Sequence, residues 1–402
     1  MARTNSDNRD DLSLQIPGRP EEMDYFLRVA GQMPITPDAL AAAKEGRKLV
    51  GLLCGSVPEE LVFAAGGFPL RLCAGRGADA SVADSLLPQS CCGVAQAIAA
   101  HLLPGGDAYG KIDALVIPTA CEWKAGLGNI LDAYCSTFRL NDTANASTAV
   151  RQLETRRLLS WLEKLTGRRV SADRLKWAAD AIRSARAAFR RIRESQKNIP
   201  PPITGLDAML VAATYLRCDA GRWTEACSRL GRELQNRIKN GPEWLENETL
   251  GGLRRDMPRV LLAGSPFFWP NWRPVAALER AGCVVVAEDH CGIGRLALSD
   301  HELICDFNAA HSCASACGIA RTADSCVSLA REMGVQGVVI HQIAGCHAQG
   351  FRAKRLAAAM EKAGIQTMIL KAPADGRMKQ SDMDNLFRKF VEQLSSPTVE
   401  AS

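Results

Sequence analysis

The chain has 402 residues, 47% of them hydrophobic, and a formal net charge of +5, which allows sizeable cores and more than one domain. So small a charge, spread over scattered basic residues with only 5% aromatics, argues against a nucleic-acid partner. The N-terminal stretch MARTNSDNRDDLSLQIPGRPEE is polar and no apolar run reaches membrane-spanning length, so a cytoplasmic protein with no membrane partner is expected.

Residues 1–45 read as an N-terminal extension with a helix, followed by an α/β domain over 46–150. RKLVGLLCG reads as a buried strand, PEELVFAAGG as a helix opened by Pro58 and closed by glycine, and FPLRLCAG as the next strand. CCGVAQAIAAHLL has helical periodicity, and KIDALVIPTA is again a strand. Such alternation implies a parallel sheet with helices on its faces.

Over 151–255 the strand signals vanish and a helical domain is expected. In SADRLKWAADAIRSARAAFRRIRES, Ser171 caps, Asp173 favours the first turn, and Leu175, Ile182, Phe189 and Ile192 share one face. Arg183, Arg186, Arg190 and Arg193 are read as a solvated face. NIPPPITG, residues 198–205, is a rigid connector that cannot be helix interior. Over 256–402 the alternation returns: PRVLLAGSP, CVVVAED, VQGVVIHQIAG and IQTMILKAP read as strands, with WRPVAALERAG and FRAKRLAAAMEKAG as helices. The expected fold class is α/β, two parallel-sheet domains facing a cleft, with a helical domain.

Fifteen cysteines in a chain expected to stay in a reducing compartment need an account other than disulfides. Cys218, Cys227 and Cys283, and with them Cys54, Cys73, Cys135 and Cys326, read as small buried hydrophobes. Three positions differ. In open parallel sheets ligands bind beyond the carboxyl ends of the strands. Cys121 follows ALVIPTA there, and Cys346 follows GVVIHQIAG in the other α/β domain. The doublet Cys91 and Cys92 opens a helix, where the dipole lowers a thiol's pKa. Three thiolates from separate loops suit an iron–sulfur cluster; zinc is the competing metal, although the paired C-x-x-C spacing of structural zinc sites is absent. A nucleophilic Cys121 lacks a local base, whereas His347 stands beside Cys346. Cys291, Cys313 and Cys317, from EDHCGIGR and HSCASACG, form a further group that either packs or adds three ligands. GIG at 292–294 lacks the third glycine of a dinucleotide loop, and no P-loop is present, so the chain shows no site for hydrolysing ATP itself.

With these residues in view, the chain resembles the family of 2-hydroxyacyl-CoA dehydratase subunits, benzoyl-CoA reductase subunits and double-cubane cluster proteins over about 45–390. The carriers are LLCGSVPEELVFAAGGFPLRL, similar to the family's P-x-E-l-x-x-A-A-G-x-x-P segment; LLPQSCC, similar to L-P-x-x-x-C; PTACEWK, similar to T-C-D-x-x-K; LERAGCVVVAED; and VQGVVIHQIAGC. Their order and spacing together are specific. The resemblance implies two flavodoxin-like domains plus a helical domain, with a [4Fe-4S] cluster on Cys92, Cys121 and Cys346. Counting from LP favours Cys92 over Cys91. It places the family's glutamate on Glu60, as an acid/base or substrate-orienting group, and leaves Glu59 as a surface residue at a helix start.

The implied function is that of an iron–sulfur subunit in an ATP-dependent, low-potential radical enzyme, a lyase or oxidoreductase acting on a CoA thioester whose carbonyl becomes a ketyl radical. Implied partners are a homologous second subunit or a second copy, and a separate dimeric iron–sulfur ATPase that injects the electron. Two alternatives stay open. One is a homodimeric double-cubane [8Fe-9S] reductase of small molecules, with Cys291, Cys313 and Cys317 completing six thiolates. The other is a non-catalytic electron-transfer subunit. The sequence departs from the family at Glu122, where aspartate is usual, at Gln96, where a basic residue is frequent, and at His347 and Gln349, where tyrosine and glutamate are common.

Overall fold

The computed structural model describes residues 16–32, 35–53, 55, 57–72, 83, 86–88, 90–103, 111–119, 121–141, 147–241, 253–265, 267, 272–290, 296, 319–372 and 378–395. Among them are eight strands and thirteen helices. Strands β1 (Leu49–Leu52), β2 (Phe68–Arg71), β3 (Ala114–Pro118) and β4 (Ser136–Leu140) form one parallel sheet in the order β2-β1-β3-β4. Strands β5 (Arg259–Gly264), β6 (Val284–His290), β7 (Gly337–Ile343) and β8 (Gln366–Ala372) repeat that order as β6-β5-β7-β8. Both are flavodoxin-like, and in each the order reverses beside the first strand, which opens a crevice between the first and third strands at their carboxyl ends.

The strands form where short runs of apolar residues can be buried on both faces, and the period of two sends alternate side chains to different cores. Leu115 and Ile117 enter a core shared with α2 (Pro37–Lys44), α4 (Gly93–Leu102) and α5 (Glu122–Leu131), whereas Val116 between them enters another. In the second sheet, Val338 and Ile340 face α11 (Ile319–Glu332) and α12 (His347–Lys362), while Val339 points the opposite way. The residues pointing that other way from both sheets join one central core, which also takes in helices from the middle of the chain. Edge strand β4, in YCSTFRL, is an element the sequence reading does not contain; it is partly exposed and lacks the continuous apolar run of its neighbour β3. Pro69 is accommodated because β2 is also an edge.

The helical layer consists of α6 (Thr148–Thr166), α7 (Ala172–Ser195), α8 (Gly205–Thr214) and α9 (Ala220–Lys239). Ser171 caps α7 by accepting from the Arg174 amide, and Ile182, Phe189 and Ile192 are buried as the periodicity predicts. The helix α1 (Met23–Gly31) belongs to this layer: Arg19 pairs with buried Asp207 at 2.9 Å, and Glu22 pairs with Arg229 at 2.8 Å.

Each sheet is fastened to the helices by directional contacts. On the first sheet, α3 (Glu59–Ala64) packs on α7, and the Arg174 side chain donates to the Ala64 carbonyl at 2.8 Å. On the second, Glu279 of α10 (Arg273–Arg280) accepts from the amides of Gly205, Leu206 and Val285 at 2.8, 3.2 and 3.2 Å. Buried Arg259 donates to the carbonyls of Gln196, Asn198 and Met333, tying the connector before α8 to the start of β5. The last helix, α13 (Gln380–Ser395), packs on α10. Among the described residues no helix is long and apolar enough to cross a membrane.

Candidate functional site

Three helices begin on a cysteine. Cys92 is the N-cap of α4, Cys121 of α5 and Cys346 of α12. Cys121 and Cys346 hold equivalent places, each after the third strand of its sheet, so the repeated topology puts one thiol beside each crevice. Helix N-termini carry unpaired amides and the positive end of the dipole, an environment that favours thiolate over thiol.

The loops come together through a glycine. Gly345 has φ +75°, and a Cβ there would lie 2.8 Å from the Cys91 carbonyl oxygen and 3.2 Å from the Cys92 Cα. Only a residue without a side chain lets the Cys346 loop of the second sheet lie so close to the doublet of the first. The Cys346 thiol hydrogen-bonds the Cys92 sulfur, and this contact, with the amides of Val94 and Ala95 and the ammonium of Lys124, lowers the Cys92 pKa to about 6 against the opposing effect of burial. Burial instead pushes its neighbour Cys91 up to about 11. The two neighbours thus differ in environment: the Cys92 thiol is held low and the Cys91 thiol, at 1% exposure, is held high. Cys121 is half-buried and near enough to act on Cys91 electrostatically. Among the described residues, no three His, Cys, Asp or Glu side chains converge tightly enough to hold a single metal ion. Lys124, close to Cys92, is a contributor that sequence reasoning missed; its place in PTACEWK, one turn after Cys121, was the available signal.

Glu60 is fully buried at the start of α3, and Glu59 beside it is 1% exposed. The reading of Glu59 as a surface residue is therefore corrected: its carboxylate accepts from the Tyr215 hydroxyl at 3.2 Å. The solvated arginine face also needs correction at one position. Arg183 and Arg190 are exposed and Arg193 is half-buried, but Arg186 is 1% exposed and lies in the field of Tyr215 together with Arg71, Glu59 and Glu60. Buried charges are costly unless compensated, and here two carboxylates and two guanidiniums of opposite sign are gathered around Tyr215. The Arg71 guanidinium lies 5.9 Å from the centre of the Tyr215 ring.

The carboxyl end of the second sheet is filled differently. Phe267 stacks on His341 at 4.4 Å and meets the His290 ring edge-on at 5.9 Å. His290 pairs with Glu288 at 2.8 Å, and His341 Nδ1 lies 2.9 Å from the Ser265 carbonyl oxygen. His347 and Glu122 are exposed, Gln96 is half-buried and Gln349 is buried.

Of the cysteines read as packing, Cys218, Cys227, Cys283 and Cys326 are buried, and Cys135 is half-buried. Cys54, Cys73 and the further group Cys291, Cys313 and Cys317 lie outside the described residues.

Over 263 residues the chain is 25% identical to a protein of Escherichia coli (strain K12) that carries the provisional name dehydratase subunit YjiM. The alignment covers 62% of this chain and 64% of the relative's length. The model of the 2-hydroxyglutaryl-CoA dehydratase D-component family matches residues 54–394, a span that takes in β2 to β8, the helical layer and all three N-cap cysteines. The chain belongs to that family.

Proposed function

We propose that this chain is the iron–sulfur subunit of a 2-hydroxyacyl-CoA dehydratase-type enzyme, in which Cys92, Cys121 and Cys346 hold a [4Fe-4S] cluster. The reading is supported by three helices that each begin on a cysteine, with the Cys346 loop lying against the Cys91–Cys92 doublet at Gly345. The donor set fits the group: thiolates at helix N-termini are the ligands iron–sulfur clusters take, and such ligands occupy different irons rather than one point. When bound, the cluster supplies a low-potential electron to a CoA thioester, the electron reaching it from a separate iron–sulfur ATPase, since this chain has no P-loop.

The chain's own residues hold the site and exclude water. Cys92 sits buried between the two loops, while Cys121 and Cys346 keep partial exposure toward the ligand side. Glu60, set on α3 behind the same crevice, orients the substrate or moves a proton, and the buried arginines around it keep charge compensated in a dry region. A homologous subunit or a second copy completes the assembly.

Anaerobic loading with ferrous iron and sulfide, followed by iron counting, tests this. About four irons per chain fit the proposal, and about eight would replace it with a double-cubane site recruiting Cys291, Cys313 and Cys317. C92S, C121S and C346S should each lose most of the iron and C135S none. Unchanged iron in C121S would overturn the ligand assignment.

A further inference from the structure

We propose that Cys92 and Cys346 form a reversible disulfide that covalently joins the two sheets of the metal-free protein. The inference stands on backbone and side-chain contact and does not require a cluster. Gly345, at φ +75°, lies so close to the doublet that a Cβ would fall 3.2 Å from the Cys92 Cα. Cys346 is the next residue, and its thiol already hydrogen-bonds the Cys92 sulfur. Bridging requires Cα atoms within about 7 Å and converging side chains, and the close approach of the Cys346 loop to Cys92 at Gly345 brings the two residues toward that geometry. The other near thiol, Cys91, is 1% exposed and so shielded from a disulfide reagent.

The chemistry is thiol–disulfide exchange with a small aliphatic disulfide, RSSR, as the two-electron oxidant. Half-exposed Cys346 attacks one sulfur of RSSR, and its proton leaves with the first RSH. The Cys92 sulfur then attacks Cys346 Sγ and expels RS⁻, which takes a proton from Cys92 or from water and leaves as the second RSH. One S–S bond breaks, one forms, and two thiols are released. The product links residues 254 positions apart in the chain. It takes two of the proposed ligands out of use, so that oxidised protein has to be reduced before it can bind iron.

The experiment uses the full chain, stripped of metal by a chelator, reduced, and equilibrated with oxidised glutathione. Peptide mapping without reductant should show a Cys92–Cys346 cross-link as the dominant species, reversed by dithiothreitol. C91S and C121S should retain it. C346S should lose it, and G345A, whose Cβ pushes the loops apart, should form it about tenfold more slowly. Absence of the link, or a dominant link joining Cys92 to Cys91 or Cys121, would overturn the inference. Folding of each variant is checked by circular dichroism, and C346A serves as a second variant if C346S does not fold. Because the mapping needs no iron, it separates this inference from the cluster reading: a disulfide with no iron uptake defeats only the cluster, and iron uptake with no disulfide defeats only the disulfide.

Discussion

The two sheets share one strand order and differ in what they do with it. In each, the third strand runs into a helix whose N-cap is a cysteine, Cys121 in one and Cys346 in the other. The first sheet adds Cys92, from the crossover before β3, and a buried charge cluster of Glu59, Glu60, Arg71 and Arg186 around Tyr215. The second fills its carboxyl end with Phe267 packed between His341 and His290. Topology therefore makes the two positions equivalent, and side chains make them unequal: one end is built for charge, the other is closed by its own rings.

That contrast can be broken most directly at the glycines of the two central strands. At Gly264, with φ +97°, a Cβ would lie 2.3 Å from the His341 carbonyl oxygen, which is backbone and cannot give way. G264A should cost more than about 3 kcal/mol in denaturant unfolding, or prevent folding of the second sheet. At Gly51 of β1 the corresponding contacts, at 2.7 Å, are with the flexible ends of Leu72 and Leu115. G51A should cost about 1–3 kcal/mol, and a loss equal to that of G264A would show that the two sheets are not packed as differently as described here.

The charge cluster gives the next largest effect. R186M leaves Glu59 and Glu60 buried with less compensation and should cost about 3 kcal/mol, whereas R183A, three residues away but exposed to water, should stay within about 0.5 kcal/mol. Y215F removes the hydrogen bond to Glu59 and should cost about 1 kcal/mol. Equal losses for R186M and R183A would return the arginines to a uniformly solvated face.

These residues also mark what the sequence could and could not reveal. The strands of both sheets are legible because burial on two faces demands unbroken apolar runs, and Cys121 and Cys346 are legible because each closes such a run. β4 escapes notice because an edge strand tolerates Ser136 and Arg139 at exposed positions. Counting from LP favours Cys92, but which of the two is the N-cap residue of α4 is a matter of backbone dihedrals that a doublet does not display. Glu59 and Arg186 look like surface residues because each has the charge and helical position of one. Their burial depends on Tyr215, which is 156 residues from Glu59 in the chain, and periodicity carries no information about such a partner.

The smallest effect lies in how each sheet is fastened to the helices. The first is held by Arg174, which donates to the Ala64 carbonyl. The second is held by Glu279, whose carboxyl is pushed up to about 7 by burial against the pull of three amide donors. Because the folded pKa lies above the ordinary value of 4.5, the folded protein holds a proton that the unfolded chain has released between those two values. Stability is then greatest below the lower value, falls as pH rises toward the upper one, and is flat beyond it, with a slope of at most about 1.4 kcal/mol per pH unit. E279Q should remove that slope while keeping most of the fastening, and R174A should lower stability by about 1 kcal/mol equally at all pH values. Denaturant unfolding of the three proteins between about pH 5 and pH 8 measures both, and a slope that survives E279Q would place the titrating group elsewhere.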